Sequence, residues 1–292
     1  MALYSIDQFS QITGLNKILI RTWENRYNFL TPTRTSTNMR TYNDDMLNKG
    51  IKFAILVDNG HKISKLVNFN NDHLNDLIEG TLDKSKDKNT KHNIYISKFI
   101  ESALYFNQET FNSTFDLCVN KTGIIEFYKN ILIETMNKIS VLYLNAEITS
   151  ANEHFLSENI RIRIANEIVR NQTKTEKNEE WILFLPENEY HDIGLLFTHL
   201  LLKKHKRRVI YLGQNTPRKT LLQFNKKNIK FLCFLNTKQT KEFSSKLCSF
   251  LNTQLNKSSV YVIDNEHVLD KKNKNLNSID NIDNFIKLLE NS

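Results

Sequence analysis

Lys17, Arg21, Arg26, Arg34 and Arg40 fall close together near the start of the chain, with Tyr27 and Tyr42 among them. Cations in such a run can hold the phosphate oxygens of a nucleic acid, provided that something rigid presents them. Residues 4–42 read as that presenting frame. Ser5 is an N-cap residue, and Ile6, Phe9 and Ile12 follow at helical spacing until Gly14 stops the helix in the left-handed conformation. Leu15 and Asn16 turn the chain into a second helix over residues 17–27. In it, Ile18, Leu19 and Trp23 are expected to face inward, leaving Lys17, Arg21, Glu24 and Arg26 for solvent or phosphate. That is the geometry of a recognition helix, whose exposed face lies in the major groove. After Pro32, residues 34–42 read as a polar hairpin that carries Arg34, Arg40 and Tyr42 toward the backbone or the minor groove. The residues expected at the DNA are therefore Lys17, Arg21, Arg26, Tyr27, Arg34, Arg40 and Tyr42. The plain alternative is a surface helical hairpin with solvated charges.

The same residues resemble a known family. Arg21-Thr22-Trp23-Glu24-Asn25-Arg26-Tyr27, then Thr31-Pro32-Thr33-Arg34-Thr35, then Arg40-Thr41-Tyr42, are similar to the winged-helix domain of MerR-type transcriptional regulators. The W-E-x-R-Y form is that of the cobalamin-dependent, light-responsive repressors of carotenoid genes. Asn38-Met39-Arg40 departs from the Gly-x-Arg usual at the wing tip. Asparagine tolerates a positive φ better than most residues, so the turn is expected to survive. Residues 45–69, with Gly60-His61-Lys62-Ile63-Ser64, resemble the helix pair that completes this domain. His61 falls in the turn between them, in a structural or phosphate-facing position rather than as a metal ligand.

Composition sets the limits. At 292 residues, with 40% hydrophobic residues, 3 Pro and 7 Gly, the chain has room for two or three helix-rich domains. Its 40 basic and 32 acidic residues give a net charge of +8, which suits a polyanionic partner. Abundant Lys beside Asn and Ile also fits an A/T-rich genome, so the case for DNA rests on the placed residues. No secretory signal opens the chain and no apolar run approaches the roughly eighteen residues that span a bilayer, so a cytoplasmic protein without membrane contact is expected. Cys118, Cys233 and Cys248 lack C-x-x-C spacing, which suggests neither a disulfide framework nor a zinc site. Cys233, in an apolar strand-like run, is expected to be buried and inert.

The chain's rhythm changes along its length. After a winged helix-turn-helix over residues 1–72, the charged stretch at 81–93 reads as solvated linker, and the linker is placed at 73–93. Residues 94–175 carry apolar positions at intervals of three and four and predict a bundle of about four helices. Residues 176–292 alternate strands at 181–185, 208–212, 231–235 and 260–263 with helices at 191–206, 218–226, 241–255 and 282–289. A weak fifth strand falls at 275–279. The expected fold is multidomain, α and α/β: an N-terminal winged helix-turn-helix, a central four-helix bundle and a C-terminal Rossmann-like, flavodoxin-like parallel sheet. In such sheets ligands bind beyond the carboxyl ends of strands, at the loops after Leu185, Leu212, Leu235 and Ile263.

The resemblance extends into this third region. Glu189, His191 and Gly194 match the E-x-H-x-x-G motif of cobalamin-binding domains, and Val209 to Pro217 is similar to the V-x-Y-L-G-x-x-x-P that follows there. By resemblance His191 is the lower axial ligand of cobalt, the only metal contact expected, with Glu189 holding its other ring nitrogen, Gly194 allowing close approach of the macrocycle, and Gly213 and Asn236 among the cofactor-binding positions. Tyr143 and the pair Glu153-His154 match a W-x9-E-H pattern that lines the upper, adenosyl side in the family, with Tyr in place of Trp. Three departures accompany these matches. Asn236 stands where the family commonly has a Ser bonded to the axial carboxylate, Asp264-Asn265 replaces a Gly-Gly at the nucleotide tail, and Leu144 replaces the light sensor's second His.

Together these readings imply a sequence-specific regulator, a repressor, that binds a double-stranded DNA operator as a homodimer or tetramer and performs no catalysis. Its C-terminal domain would take cobalamin, with adenosylcobalamin as one form, to control oligomer state and operator occupancy. The alternative is a cofactor-free regulator whose degenerate cobalamin-type domain binds a partner such as an antirepressor, or another ligand. A cobalamin-dependent enzyme subunit is disfavoured because the chain lacks a substrate barrel.

Overall fold

The computed structural model describes residues 3–144, 149–171, 178–235, 241–264 and 276–291. The chain folds as two compact units, residues 1–159 and 160–292.

The first unit opens with β1 (Tyr4–Ser5), α1 (Ile6–Thr13), α2 (Lys17–Tyr27), β2 (Thr33–Arg34) and β3 (Arg40–Tyr42), and the strands form a small antiparallel sheet in the order β1-β3-β2. The local signals act as expected. Ser5 and Gln8 form a reciprocal capping box at the start of α1, and Gly14 ends it at φ 78°. Asn38 takes the wing turn at φ 63°. The two helices and the wing pack onto α3 (Asp44–Asp58) through Phe9, Trp23, Phe29 and Phe53. The short α4 (Ile63–Leu66) follows a turn that holds His61. Gly50 of α3 sits against Phe9, where an added Cβ would lie 2.3 Å from the ring, so only glycine lets α1 lie this close.

The expected linker is a correction. α5 (Asn71–Lys84) and α6 (Lys88–Leu104) leave only residues 85–87 outside a helix. Leu74, Ile78 and Leu82 continue a buried helical stripe through the charged stretch, and Asp87 caps α6 by accepting the Thr90 N–H at 2.7 Å. The charges at 81–93 are therefore the solvent faces of helices. The winged helix and the bundle share one unit, and Glu101 of α6 joins them by accepting from Asn48 at 2.8 Å and from the buried Lys52 at 3.1 Å, both on α3. The bundle continues through α7 (Gln108–Thr122), α8 (Ile124–Glu126), a π-helical turn (Phe127–Leu132) and α9 (Ile133–Leu144) to α10 (Ser150–Arg170). Phe99, Phe111, Phe115 and Phe127 form its aromatic core. The unit boundary, between residues 159 and 160, cuts α10 instead of falling at 175.

The second unit holds β4 (Glu180–Phe184), α11 (Ile193–Lys204), β5 (Arg208–Gly213), a 3-10 helix (Arg218–Phe224), β6 (Ile229–Leu235), α12 (Lys241–Gln254), β7 (Ser259–Asp264), β8 (Leu276–Ile279) and α13 (Ile282–Glu290). All strand pairs described are parallel, in the order β5-β4-β6-β7-β8. That is the flavodoxin-like arrangement, and its direction of winding reverses beside β4. β4 and β6 run almost wholly buried, as strands covered on both faces must. Trp181 is fully buried against Tyr261 and Phe285. Cys118, Cys233 and Cys248 are all buried. Among the described residues no helix is long and apolar enough to cross a membrane.

Candidate functional site

The sequence-predicted residues fall in three places, the winged helix and the bundle of the first unit and the loop after β4 in the second. In the first, α2 presents Lys17, Arg21 and Arg26 at its surface, with Tyr27 half-buried behind them. Lys17 pairs with Asp7 of α1, and Arg26 lies 5.8 Å over the Tyr27 ring. Arg34 projects from the wing, its guanidinium donating to Asn38 Oδ1 at 2.9 Å and to Asn38 O at 3.2 Å. The helix's inward face differs from expectation. Ile20, Trp23 and Glu24 are buried, whereas Ile18 is 73% exposed and Leu19 37% exposed.

Glu24, expected at the surface, is buried. Its carboxylate accepts from Arg40 Nε at 2.8 Å and from the Tyr42 hydroxyl at 2.6 Å, tying the recognition helix to the wing. Tyr42 is fully buried, so it cannot reach DNA as expected and instead anchors the wing from inside. Burial, and then its bond to Glu24, push the Tyr42 phenol above the usual tyrosine range. Arg40 is largely covered at this junction.

In the second unit, the loop between β4 and α11 brings Glu189 and His191 together at the sheet's switch point. Glu189 is only 1% exposed, and its Oε1 accepts three N–H groups: Tyr190 N and His191 N, each at 2.9 Å, and His191 Nδ1 at 2.7 Å. A carboxylate only accepts, so Nδ1 carries the proton, and in the neutral form of the ring the lone pair lies on Nε2. The His191 side chain is 72% exposed. The arrangement is that of an imidazole held in one tautomer and offered outward, as a metal ligand is.

The loop after β5 braces this one. Gly213 turns at φ 78° and accepts the Leu185 N–H at 2.8 Å, a conformational task that explains its glycine. Asn215 N donates to Glu189 O at 3.1 Å, Asn215 Oδ1 accepts from Asn188 N at 2.9 Å, and Gln214 donates to Tyr190 O at 2.8 Å. Asn188, Gln214 and Asn215 escaped the sequence reading. Positive φ at Asn188 and Asn215 follows from asparagine's tolerance of that conformation, the one signal that could have marked them. Gly194 lies in the first turn of α11 (Ile193–Lys204), and the N-cap residue Asp192 pairs with Arg161 of α10 at 2.7 Å. Asn236 and Asn265 lie outside the described residues, as does the side chain of Asp264.

On the bundle, Tyr143 is 48% exposed, and His154 Nε2 lies 3.7 Å from Glu153 Oε2. Among the described residues no group of three or more His, Cys, Asp or Glu side chains is arranged to hold a metal by itself.

One buried group in the second unit makes its stability depend on pH. His199 of α11 stacks on Tyr211 of β5 with ring centroids 5.3 Å apart, and His199 Nε2 and the Tyr211 hydroxyl are both buried without a hydrogen-bond partner. Burial, with Lys203 as a lesser cause, lowers the His199 pKa from 6.5 to about 4. The unfolded chain then takes up a proton that the native ring refuses, so stability falls as pH drops from 6.5 toward 4. Discounted for partial exposure, the loss approaches roughly 2 kcal/mol. Urea unfolding at pH 7 and pH 5, followed by Trp181 fluorescence in a Trp23→Phe background, should show the drop, and His199→Phe should remove most of it.

The comparisons with known proteins agree with both halves. The family model described as "MerR HTH family regulatory protein" matches residues 4–66. The chain is 24% identical over 224 residues to the HTH-type transcriptional repressor CarH of Myxococcus xanthus, covering 75% of this chain and 73% of that protein. It is 33% identical over 66 residues to the HTH-type transcriptional regulator MlrA of Escherichia coli, covering 23% of this chain and 27% of that one. In structure it is similar to the monomethylamine corrinoid protein of Methanosarcina barkeri, with TM-score 0.51 and 12% identity, over 68% of this chain and 96% of that one. A MerR-type helix-turn-helix matched over residues 4–66, similarity to a transcriptional repressor over three quarters of the chain, and a fold shared with a corrinoid protein support a DNA-binding transcriptional regulator whose remaining part has the fold of that corrinoid protein.

Proposed function

We propose that the chain is a cytoplasmic repressor that takes cobalamin through His191 and couples that binding to its oligomer state and so to operator occupancy. The observation that carries the reading is the triple acceptance by the buried Glu189 Oε1, which fixes the His191 ring with Nε2 as its lone-pair nitrogen. An imidazole whose Nδ1 proton is held by a buried carboxylate would present Nε2 to a metal that a cofactor brings. Bound there, the corrin would supply a cobalt centre and a large apolar face. This chain's own part is to hold the ring's tautomer with Glu189, to brace the loop with Asn215 and Gln214, and to shape the entry to α11 at Gly194. Tyr143, Glu153 and His154 belong to the reading through resemblance. Leu144, where the photoreceptor relatives place a second His, argues for binding without their light-driven bis-His chemistry.

A symmetric pair of helix-turn-helix domains reading two half-sites multiplies specificity, so a ligand that favours assembly favours the operator. The test is the visible spectrum of the full chain purified with adenosylcobalamin in the dark, with gel shift and sedimentation run with and without the ligand. Retained corrin absorbance that His191→Ala abolishes supports the proposal. No retained absorbance, or absorbance indifferent to that substitution, sinks it. The second reading, a cofactor-free regulator whose sheet domain binds an antirepressor-like protein, has one specific observation in its favour: Asp264-Asn265 stands where the family's backbone is bare.

A further inference from the structure

The exposed face of α2 holds a side chain that charge does not explain. Helical positions advance by about 100° per residue, so Ile20, Trp23, Glu24 and Tyr27 share one face, and Ile18, Arg21, Thr22 and Asn25 share the opposite one. The burial pattern follows that division, with Ile18 73% exposed and Arg21, Thr22 and Asn25 exposed beside it. An isolated surface isoleucine needs no explanation in general. Here it lies at the centre of the outward face of a recognition helix, in the first turn after the N-cap Asn16, where base edges are read. A β-branched side chain adds nothing to helix propensity at such a place, and at this exposure it gains little from packing.

We infer that Ile18 is a specificity-determining residue that packs against the C5-methyl group of a thymine in the major groove. The occupant follows from the surroundings. Arg21 and Lys17 beside it meet the phosphates of a duplex, and the one apolar group that a base pair displays in the major groove is the thymine methyl.

The experiment begins with selection of bound duplexes from a randomised pool by the full chain, with and without added cobalamin. Each thymine in the selected half-site is then replaced in turn by uracil, which removes the C5-methyl and keeps the pairing. At one position per half-site the replacement should weaken binding by about fourfold, the effect of uncovering one methyl group. Ile18→Ala should bind the thymine and uracil duplexes alike while its thermal melting stays unchanged. Discrimination that survives in Ile18→Ala, a selected half-site without thymine, or no thymine sensitive to the replacement would overturn the inference. It rests on the helix-turn-helix alone, so a failed cobalamin spectrum leaves it standing.

Discussion

Glu24→Ala is expected to destabilise the winged-helix domain by about 3 kcal/mol and to weaken DNA binding by roughly tenfold to a hundredfold. The size follows from what the carboxylate leaves behind. Removing one partner of a buried, hydrogen-bonded ion pair strands the other, and here two groups are stranded. The Tyr42 hydroxyl is fully buried, and the Arg40 side chain is 22% exposed, so the arginine recovers some hydration and the tyrosine recovers little. The loss in affinity comes from the wing. With Glu24 gone, β3 is no longer tied to α2, and Arg34 reaches the backbone from a mobile hairpin. Urea unfolding of the full chain in a Trp181→Phe background, with Trp23 as reporter, measures the first effect. Binding titrations at several salt concentrations measure the second, and the slope of log K against log salt should shrink by about one for each phosphate that the wing ceases to neutralise. Glu24→Gln keeps an acceptor for Tyr42 and should lose less on both scales. A Glu24→Ala protein as stable and as tight as the parent would refute the clamp.

Glu24 also shows where the sequence stops being legible. The cap at Ser5, the stop at Gly14, the wing turn at Asn38 and all five parallel strands follow from local chemistry, and they were readable because each signal lies within a few residues of its effect. The phase of α2 was not. Ile18, Leu19 and Ile20 are consecutive, so hydrophobicity alone cannot choose which of them turns inward. The choice falls to Glu24, whose partners are sixteen and eighteen residues away across a hairpin. A charge that is buried because distant groups satisfy it reads locally as a surface charge. The stretch at 81–93 failed in the opposite sense: its charges are exposed, but Leu82 and the Asp87 cap make them the outer faces of α5 and α6. At the sheet, the Glu189-x-His191 spacing was readable through resemblance, while the bracing by Asn188, Gln214 and Asn215 depends on two loops meeting, which no single segment announces.

Glu189→Ala should cost the sheet unit about 3 kcal/mol, whether or not any ligand is bound. One oxygen accepts all three N–H groups, so a single truncation orphans the Tyr190 amide, the His191 amide and the His191 ring together. Each unsatisfied donor costs roughly 1 to 3 kcal/mol if it stays buried, and the exposed loop can turn some of them to water, which places the total near the lower end of that sum. Glu189→Gln is the variant that separates fold from tautomer. Its amide oxygen can still accept the two backbone N–H groups, so most of the stability should return. The ring, however, loses a charged acceptor and with it the bias that keeps the proton on Nδ1. Imidazole nitrogen chemical shifts should therefore show one dominant tautomer in the parent and a mixture in Glu189→Gln at the same pH. If Glu189→Ala unfolds like the parent, the carboxylate does not hold the loop. If Glu189→Gln keeps the parent's tautomer, the backbone alone orients His191, and the reason for a buried carboxylate beside an exposed imidazole must lie elsewhere.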